Sequence, residues 1–321
     1  MNRKSVAEFT HNGKNFLTLQ NSEYKQWVFR YTFLELEKDL GPKGDITTAA
    51  LFEAHQKVKA KIVAGEAGVL AGIQEIKYFL LEGDANFRPK IKGSFEVKFL
   101  FEDGDSFKKD DVLMEITGEV HDLLGVERVA LNLLMRMSGV ATFTKKICEM
   151  VKDYEVLITP TRKTLWGLLD KRAVVLGGGG THRLNMSESI LIKDTQSDLY
   201  GRDIEKILEV TLEKVPELEP KFVEIEVVNE DEAMRAAKIF NKNNSQTVGV
   251  LLLDNVEPKE IKKAVEAIKK AGFYDSVLLE ASGGINEKNV LEYAKTGVDI
   301  ISMGSITNGP RSLNMSLKIV E

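Results

Sequence analysis

The chain has 321 residues, enough for more than one domain, and 43% hydrophobic with 29% charged residues excludes disordered and fibrous classes. A formal net charge of −5 excludes a global basic field for nucleic acid, so any positive cluster is local and its ligand is expected to be small. The lone Cys148 excludes a disulfide framework and a thiolate metal site.

No segment approaches the ~20 apolar residues that cross a bilayer, and the opening MNRKSVAEFTHNGKNF lacks the apolar core of a signal peptide. A cytoplasmic protein with a reduced, buried thiol is therefore expected. Residues 5–19 place Asn12-Gly13 between two part-alternating segments, which predicts a small β-hairpin with a type I′ turn. From Ser22 to Leu40, Trp27, Val28, Tyr31, Leu34 and Leu36 recur at helical spacing, with Ser22 as cap and Gly41-Pro42 as stop. Segments 57–63, 68–73, 93–102 and 111–120 read as strands, broken by turns such as Asp103-Gly104, and predict an open sheet with the helix on one face. Leu123, Val126, Ala130, Leu133, Leu134 and Met137 then mark a helix from His121 to Met137, with Gly139 as a joint before a second helix, Thr142 to Lys152.

Beyond that joint, short β-rich runs alternate with helical segments: 156–160, 189–194, 221–228, 247–255, 276–284 and 299–305. Their spacing of roughly 25–30 residues is the period of a (β/α) barrel. A seventh strand is a candidate in AVVL, residues 173–176, and the closing run 312–320 comes too late for the cycle and is expected to return to the first sheet.

Function in such barrels gathers at the C-terminal ends of the strands. Each run here ends in a reactive or phosphate-friendly group: Arg162 with Lys163, Lys193, Glu226, Asp254, Ser282 with Gly283 and Gly284, then Gly304 with Ser305. Arg forks and Lys point charges are suited to carboxylates and phosphates, and His182 with Arg183 adds to the same cluster. His182 by itself reads equally as a structural histidine. The four glycines 177–180 either let backbone approach a ligand or make a tight turn. Glu226 and Asp254 can hold Mg²⁺ through water and accept from ribose hydroxyls, or pair with the basic cluster. Glu224 shares their strand face with Glu226 by the period of two. SGGI at 282–285 and MGS at 303–305 offer backbone N–H groups to a phosphate.

In the same order, ERVALNLLMRMSGVAT, TRKT, GGGGTHRLNMSESILIKD, VEIEV, LLLDN, LEASGGI and GVDIISMGSIT resemble the signature segments of the quinolinate phosphoribosyltransferase family, also called nicotinate-nucleotide pyrophosphorylase (carboxylating). The resemblance implies an α/β protein: an N-terminal α/β sandwich over 1–139, to which 309–321 returns, and an incomplete (β/α) barrel over 140–308. It implies a dimer in which Arg128 reaches the neighbouring subunit's site. Arg162, Lys163, His182, Arg183 and Lys193 would hold the two carboxylates of quinolinate. Glu226 and Asp254 would lie by the ribose and Mg²⁺, with Ser282, Gly283 and Gly304 cradling the 5′-phosphate. Lys163, Glu226 and Asp254 are the expected catalytic residues. The implied reaction joins quinolinate to phosphoribosyl pyrophosphate, releasing pyrophosphate and CO₂ and giving nicotinate mononucleotide for NAD biosynthesis.

The chain departs from the family pattern at Asn308, where a histidine is usual, at Leu165-Trp166, where Thr-Pro is common after Thr-Arg-Lys-Thr, and after Lys193, where Asn-His is often found. The alternatives are a type II phosphoribosyltransferase for nicotinate or another aromatic acid, including the relative from molybdenum transport operons, or a non-catalytic phosphosugar-binding protein. Partners are small molecules and a second copy of the chain, without nucleic acid or membrane.

Overall fold

The structure is a computed structural model that describes residues 2–53, 55–82, 94–243 and 247–320. Gly93 and Glu321, at the edges of two expected segments, lie outside the described residues. In chain order the elements are α1 (Arg3–His11), α2 (Ser22–Leu40), α3 (Ile46–Leu51), β1 (Lys57–Ala64), β2 (Gly68–Val69), α4 (Ile73–Lys77), β3 (Glu96–Phe99), β4 (Ser106–Phe107), β5 (Val112–Glu119) and α5 (Val120–Met150). There follow β6 (Leu157–Thr159), α6 (Leu168–Leu176), β7 (Ile190–Ile192), α7 (Asp194–Leu199), α8 (Ile204–Leu218), β8 (Phe222–Val227), α9 (Glu230–Lys242), β9 (Val248–Asp254) and α10 (Pro258–Lys270). The last are β10 (Val277–Ser282), α11 (Val290–Ala294), β11 (Ile300–Ser302), α12 (Ser305–Asn308) and β12 (Met315–Val320).

Two compact units share these elements. One comprises Asn15–Lys145, Leu168–Gly178 and Pro310–Glu321, and the other Met1–Lys14, Lys146–Gly167 and Gly179–Gly309. The first is an α/β sandwich on a four-stranded antiparallel sheet, order β12-β1-β5-β3. Its closing strand returns from the end of the chain to pair with β1, from Lys59 with Val320 to Ala64 with Met315. Tyr24 of α2 donates to Glu75 of α4 at 2.6 Å, and Arg136 of α5 holds Asp170 of α6 through two hydrogen bonds of 3.0 and 3.1 Å.

The second unit carries a six-stranded parallel sheet, order β6-β11-β10-β9-β8-β7, wound with helices into an incomplete (β/α) barrel. Because β6 and β7 are its two edges, the cycle stays open. In-register pairs place Thr159 beside Ser302, Asp254 beside Ser282, and Glu226 beside Leu252, so the strands finish at one level. Alternation then stacks the inner face in layers. Phe222, Val250, Leu278 and Ile300 form an apolar layer near the strand starts; Glu224 and Glu280 lie above it, and Glu226, Asp254 and Ser282 above them.

Several expectations need correction. Residues 3–11 form α1, not a hairpin strand: Asn2 caps the helix by accepting from Ser5 N–H at 2.8 Å, Asn12 ends it, and Ala7 buries itself against the apolar barrel layer. Arg3 anchors its start on Asp299, donating at 2.8 Å to Oδ1, with its guanidinium 3.6 Å from the Tyr274 ring centroid. Asn21, rather than Ser22, caps α2 by accepting from both Glu23 and Tyr24 N–H. AVVL is the end of α6, and only Gly68–Val69 of the expected 68–73 strand is extended before Gly72 turns the chain into α4. Gly139 lies inside the continuous α5 and is not a joint; a Cβ there would stand 2.2 Å from the Arg311 carbonyl oxygen, so glycine serves a close backbone approach. Cys148 is half-buried, and burial, then Glu149, pushes its thiol up to about 11. No helix among the described residues is long and apolar enough to cross a membrane.

Candidate active site

At the barrel's strand ends the parallel sheet collects the groups that the sequence singles out. Arg162 and Lys163 follow β6 and are exposed. The Lys163 carbonyl accepts from Thr307 Oγ1 at 2.9 Å, which ties the loop after β6 to α12, and the Lys163 side chain runs past Gly304. Arg183 is only 5% exposed and donates to the Ser189 carbonyl at 3.0 Å. Burial, then the charge of Arg162, lowers its pKa, and Glu224 opposes that fall.

Lys193 caps α7, its N–H donating to Gln196 Oε1 at 3.0 Å, and lies near Glu226. Glu226 accepts from the Asp194 N–H at 3.3 Å. Burial, then repulsion from Asp254 on the adjoining strand, raises its pKa, and Lys193 opposes that rise. Two hard carboxylates facing each other in this way fit a divalent cation with oxygen ligands. Across the sheet, Gly283 at φ +87° sits where a Cβ would meet Asn255 Oδ1 at 2.4 Å, so this turn requires glycine. Gly284 has open space around it, and its carbonyl accepts from the side chains of Asn286 and Asn289. Ser305 Oγ donates to the Ile285 carbonyl at 2.9 Å and joins the loops after β10 and β11.

His182 does not sit with these exposed groups. Its ring is buried between Glu224, 3.4 Å from Nε2, and Glu280, 3.2 Å from the same atom. His11 of α1 touches Glu280 from the other side at 3.3 Å. Burial opposes charging the His182 ring, but Glu280 and Glu224 outweigh it and pull its pKa upward. The Arg183 N–H acts in the other direction, donating to His182 Nδ1 at 2.7 Å, because a doubly protonated ring would set a proton against that amide. The ring thus keeps its proton on Nε2, facing the carboxylates. Gly180 explains part of the glycine run: its Cβ would lie 2.6 Å from the His11 carbonyl, a packing demand and not a ligand contact. Glu224 and Glu226 also separate: Glu224 is fully buried beside His182, and Glu226 stands at the strand ends.

The family model for the quinolinate phosphoribosyl transferase C-terminal domain matches residues 140–318, and that for the N-terminal domain matches residues 45–138. The chain belongs to the quinolinate phosphoribosyl transferase family. It is 36% identical over 281 residues to a probable nicotinate-nucleotide pyrophosphorylase [carboxylating] of Methanothermobacter thermautotrophicus, covering 86% of this chain and 93% of that one. The corresponding protein of Methanocaldococcus jannaschii is 36% identical over 304 residues, 92% and 98% of the two chains. Among solved structures, the nicotinate-nucleotide pyrophosphorylase of Francisella tularensis superposes with a TM-score of 0.75 at 30% identity, covering 92% of this chain and 96% of that one. Human nicotinic acid phosphoribosyltransferase, at 15% identity and a TM-score of 0.58, shares the fold alone.

Within this family member, the barrel brings the strand-end residues together, from Arg162 through Ser305. Arg128 lies exposed on α5 in the other unit, 3.8 Å from Glu127. Sequence reading missed His11 and Glu280. The second carried a signal, since a glutamate inside the apolar run VLLEAS has to be buried with a partner. His11 carried almost none, standing in a polar segment whose Asn-Gly suggested a turn.

Proposed function

We propose that the protein transfers the phosphoribosyl group of phosphoribosyl pyrophosphate to quinolinate, with loss of the 2-carboxylate as CO₂, giving nicotinate mononucleotide and pyrophosphate for NAD biosynthesis. The observation that carries this reading is the run of cations around the ends of β6 and β7, Arg162 with Lys163 after β6, Arg183 before β7 and Lys193 after it, a set suited to an acceptor with two negative groups. Arg162, Lys163, Arg183 and Lys193 line the acid side. Ser282, Gly283 and Gly304 receive the 5′-phosphate, with backbone N–H groups and the Ser282 hydroxyl as donors. His182 supports the acid side from beneath.

Catalysis on this reading is positioning and charge. The cations orient quinolinate so that its ring nitrogen faces C1′, and the carbon–nitrogen bond forms as the C1′–pyrophosphate bond breaks. Lys163 neutralises charge that develops on the leaving group, and Glu226 and Asp254 hold the ribose hydroxyls. Glu226 and Asp254 would hold Mg²⁺ through water, and the ion would supply neutralisation of pyrophosphate charge. Two subunits share each site, with Arg128 reaching the neighbour's acid pocket, and the single cysteine suits a cytoplasmic enzyme.

The test mixes purified protein with Mg²⁺, phosphoribosyl pyrophosphate and either quinolinate or nicotinate. Nicotinate mononucleotide and CO₂ from quinolinate are expected. Product from nicotinate alone would overturn the acceptor assignment, and binding of phosphoribosyl pyrophosphate with no turnover would overturn the enzyme assignment.

A further inference from the structure

Beneath the strand ends, α1 places a titratable group that the reaction above does not use. His11, the last residue of α1, is fully buried in the barrel. Its ring stacks on Phe222 at 4.3 Å and meets the His182 ring edge-on at 5.0 Å. Its carbonyl accepts from the N–H groups of Thr181 at 2.7 Å and His182 at 3.1 Å. Two residues later, Gly13 N–H donates to Thr181 Oγ1 at 2.8 Å. The end of α1 is therefore stitched to the segment 181–182 by backbone as well as by side chain.

The two imidazoles are arranged alike around Glu280. His11 Nδ1 lies 2.7 Å from Thr10 Oγ1, and His182 Nδ1 accepts from the Arg183 N–H at the same distance. Each ring turns its Nε2 toward a different oxygen of Glu280, at 3.3 Å from His11 and 3.2 Å from His182. An ionised carboxylate sealed from water requires such compensation. Burial pushes the Glu280 pKa up, but the two imidazoles outweigh it and hold this carboxyl well below the usual range. His11 itself stays uncharged, its pKa held down at about 4 by burial.

This clasp bears on a strained backbone. His182 adopts φ +51°, a left-handed conformation disfavoured for a residue with a Cβ. Arg183 directly follows this turn, and its N–H returns onto His182 Nδ1 at 2.7 Å.

We propose that His11 is a positioning residue: by clasping Glu280 against His182 it holds the left-handed turn at His182 and so the aim of Arg183 at the acceptor's carboxylates. The proposal rests on the reading of Arg183 as a quinolinate contact. A competing reading comes from the same four side chains, His11, His182, Glu224 and Glu280, whose ligating atoms lie within 4.8 Å of one another, the span of a buried metal set. The carboxylate oxygens and His11 Nε2 lack an aligned hydrogen-bond partner, as a metal set would. Against it, an Arg183 N–H on Nδ1 leaves the neutral His182 ring its proton, not a lone pair, on Nε2.

The experiment uses the full chain labelled with ¹⁵N-histidine, in which only four histidines contribute signals. His11→Ala, His11→Gln and His11→Asn are compared with the parent protein. Gln carries an amide N–H where imidazole has Nε2, and Asn does so nearer Nδ1. With His11→Ala and His11→Asn, the His182 ¹⁵N signals should lose their fixed Nε2–H pattern and KM for quinolinate should rise about tenfold. KM for phosphoribosyl pyrophosphate should change less than about twofold. His11→Gln should restore most of both. Should His11→Ala fail to fold, the contrast between Gln and Asn decides alone. Unchanged His182 signals and an unchanged quinolinate KM in His11→Asn would overturn the proposal. So would a stoichiometric metal in the purified parent protein, by elemental analysis, that is lost with His11→Ala. If the parent protein does not turn over quinolinate but the His182 signals respond to His11 as expected, the clasp stands and the substrate reading falls.

Discussion

Arg183 keeps a charge almost out of water, and a buried guanidinium is tolerated only when anionic or carbonyl oxygens face it. The Ser189 carbonyl faces it within the protein, and on the proposed function the acceptor's carboxylate faces it as well. A charge-assisted hydrogen bond of this kind contributes roughly 1.5–3 kcal/mol, equivalent to about a 10- to 100-fold change in binding. Arg183→Ala should therefore raise KM for quinolinate by about that factor while KM for phosphoribosyl pyrophosphate moves little. Steady-state kinetics in each substrate would check it, and equal losses in both KM values would reject a role confined to the acceptor. Arg183→Lys should recover only part of the loss, since an ammonium cannot reproduce the planar fork. These strand-end residues were legible in the sequence because a parallel strand is a short apolar run that stops where its functional residue begins. The layer beneath was less so: Glu280 interrupts an apolar run visibly, but nothing local to His11 says that it faces a glutamate 269 positions away.

The helices of the sandwich unit meet over another buried carboxyl, Glu75 of α4, which accepts from Tyr24 of α2 and faces Arg172 of α6 at 3.8 Å. Burial, then Asp103, raises its pKa to about 7, with Tyr24 and Arg172 pulling the other way. A carboxyl raised above its unfolded value of about 4.3 contributes stability in full below that pH, and the contribution is lost as pH rises through the folded value. The protein should lose on the order of a few kcal/mol from this group between pH 5 and pH 8, and Glu75→Gln should flatten that decline in thermal melts. A pH dependence identical to the parent's would exclude Glu75 as its source. The long α5 makes a second prediction at this scale. Gly139→Ala would push a Cβ to 2.2 Å from the Arg311 carbonyl, and backbone cannot yield as a flexible side chain can. A cost of about 1–3 kcal/mol is expected in denaturant titration, with no cost indicating that the segment before β12 shifts freely. Gly139 also marks a limit of sequence reading. A glycine amid helical periodicity is the same letter whether it breaks a helix or admits another strand of chain, and only the tertiary contact tells which. The same ambiguity turned Asn12-Gly13 from a helix end into an expected hairpin, and AVVL from helix into an expected strand.

At the scale of the whole molecule, family membership and the open six-stranded sheet agree on an incomplete barrel, and on the proposed function its strand ends carry the acid and phosphate sides of one pocket. What the barrel unit does not include is Arg128, which is exposed on α5 and which, among the described residues, pairs with Glu127 at a loose 3.8 Å. An arginine so weakly engaged within its own subunit is available to a neighbour, and an exposed pair at this distance contributes little to stability. On the proposed shared site, Arg128→Ala should abolish most activity without lowering the melting temperature, and Arg183→Ala should abolish most of it at quinolinate concentrations well below the raised KM. Mixing the two variants separates a shared site from an autonomous one. In a two-fold dimer, each heterodimer holds one site with both lesions and one with neither, and random exchange makes half the dimers hetero, so about a quarter of all sites should be intact. Recovered activity near a quarter of the parent's, after subunit exchange verified by native mass spectrometry, is the expected result. Heterodimers without recovery would mean that Arg128 and Arg183 act in the same subunit or that Arg128 has no part in the site.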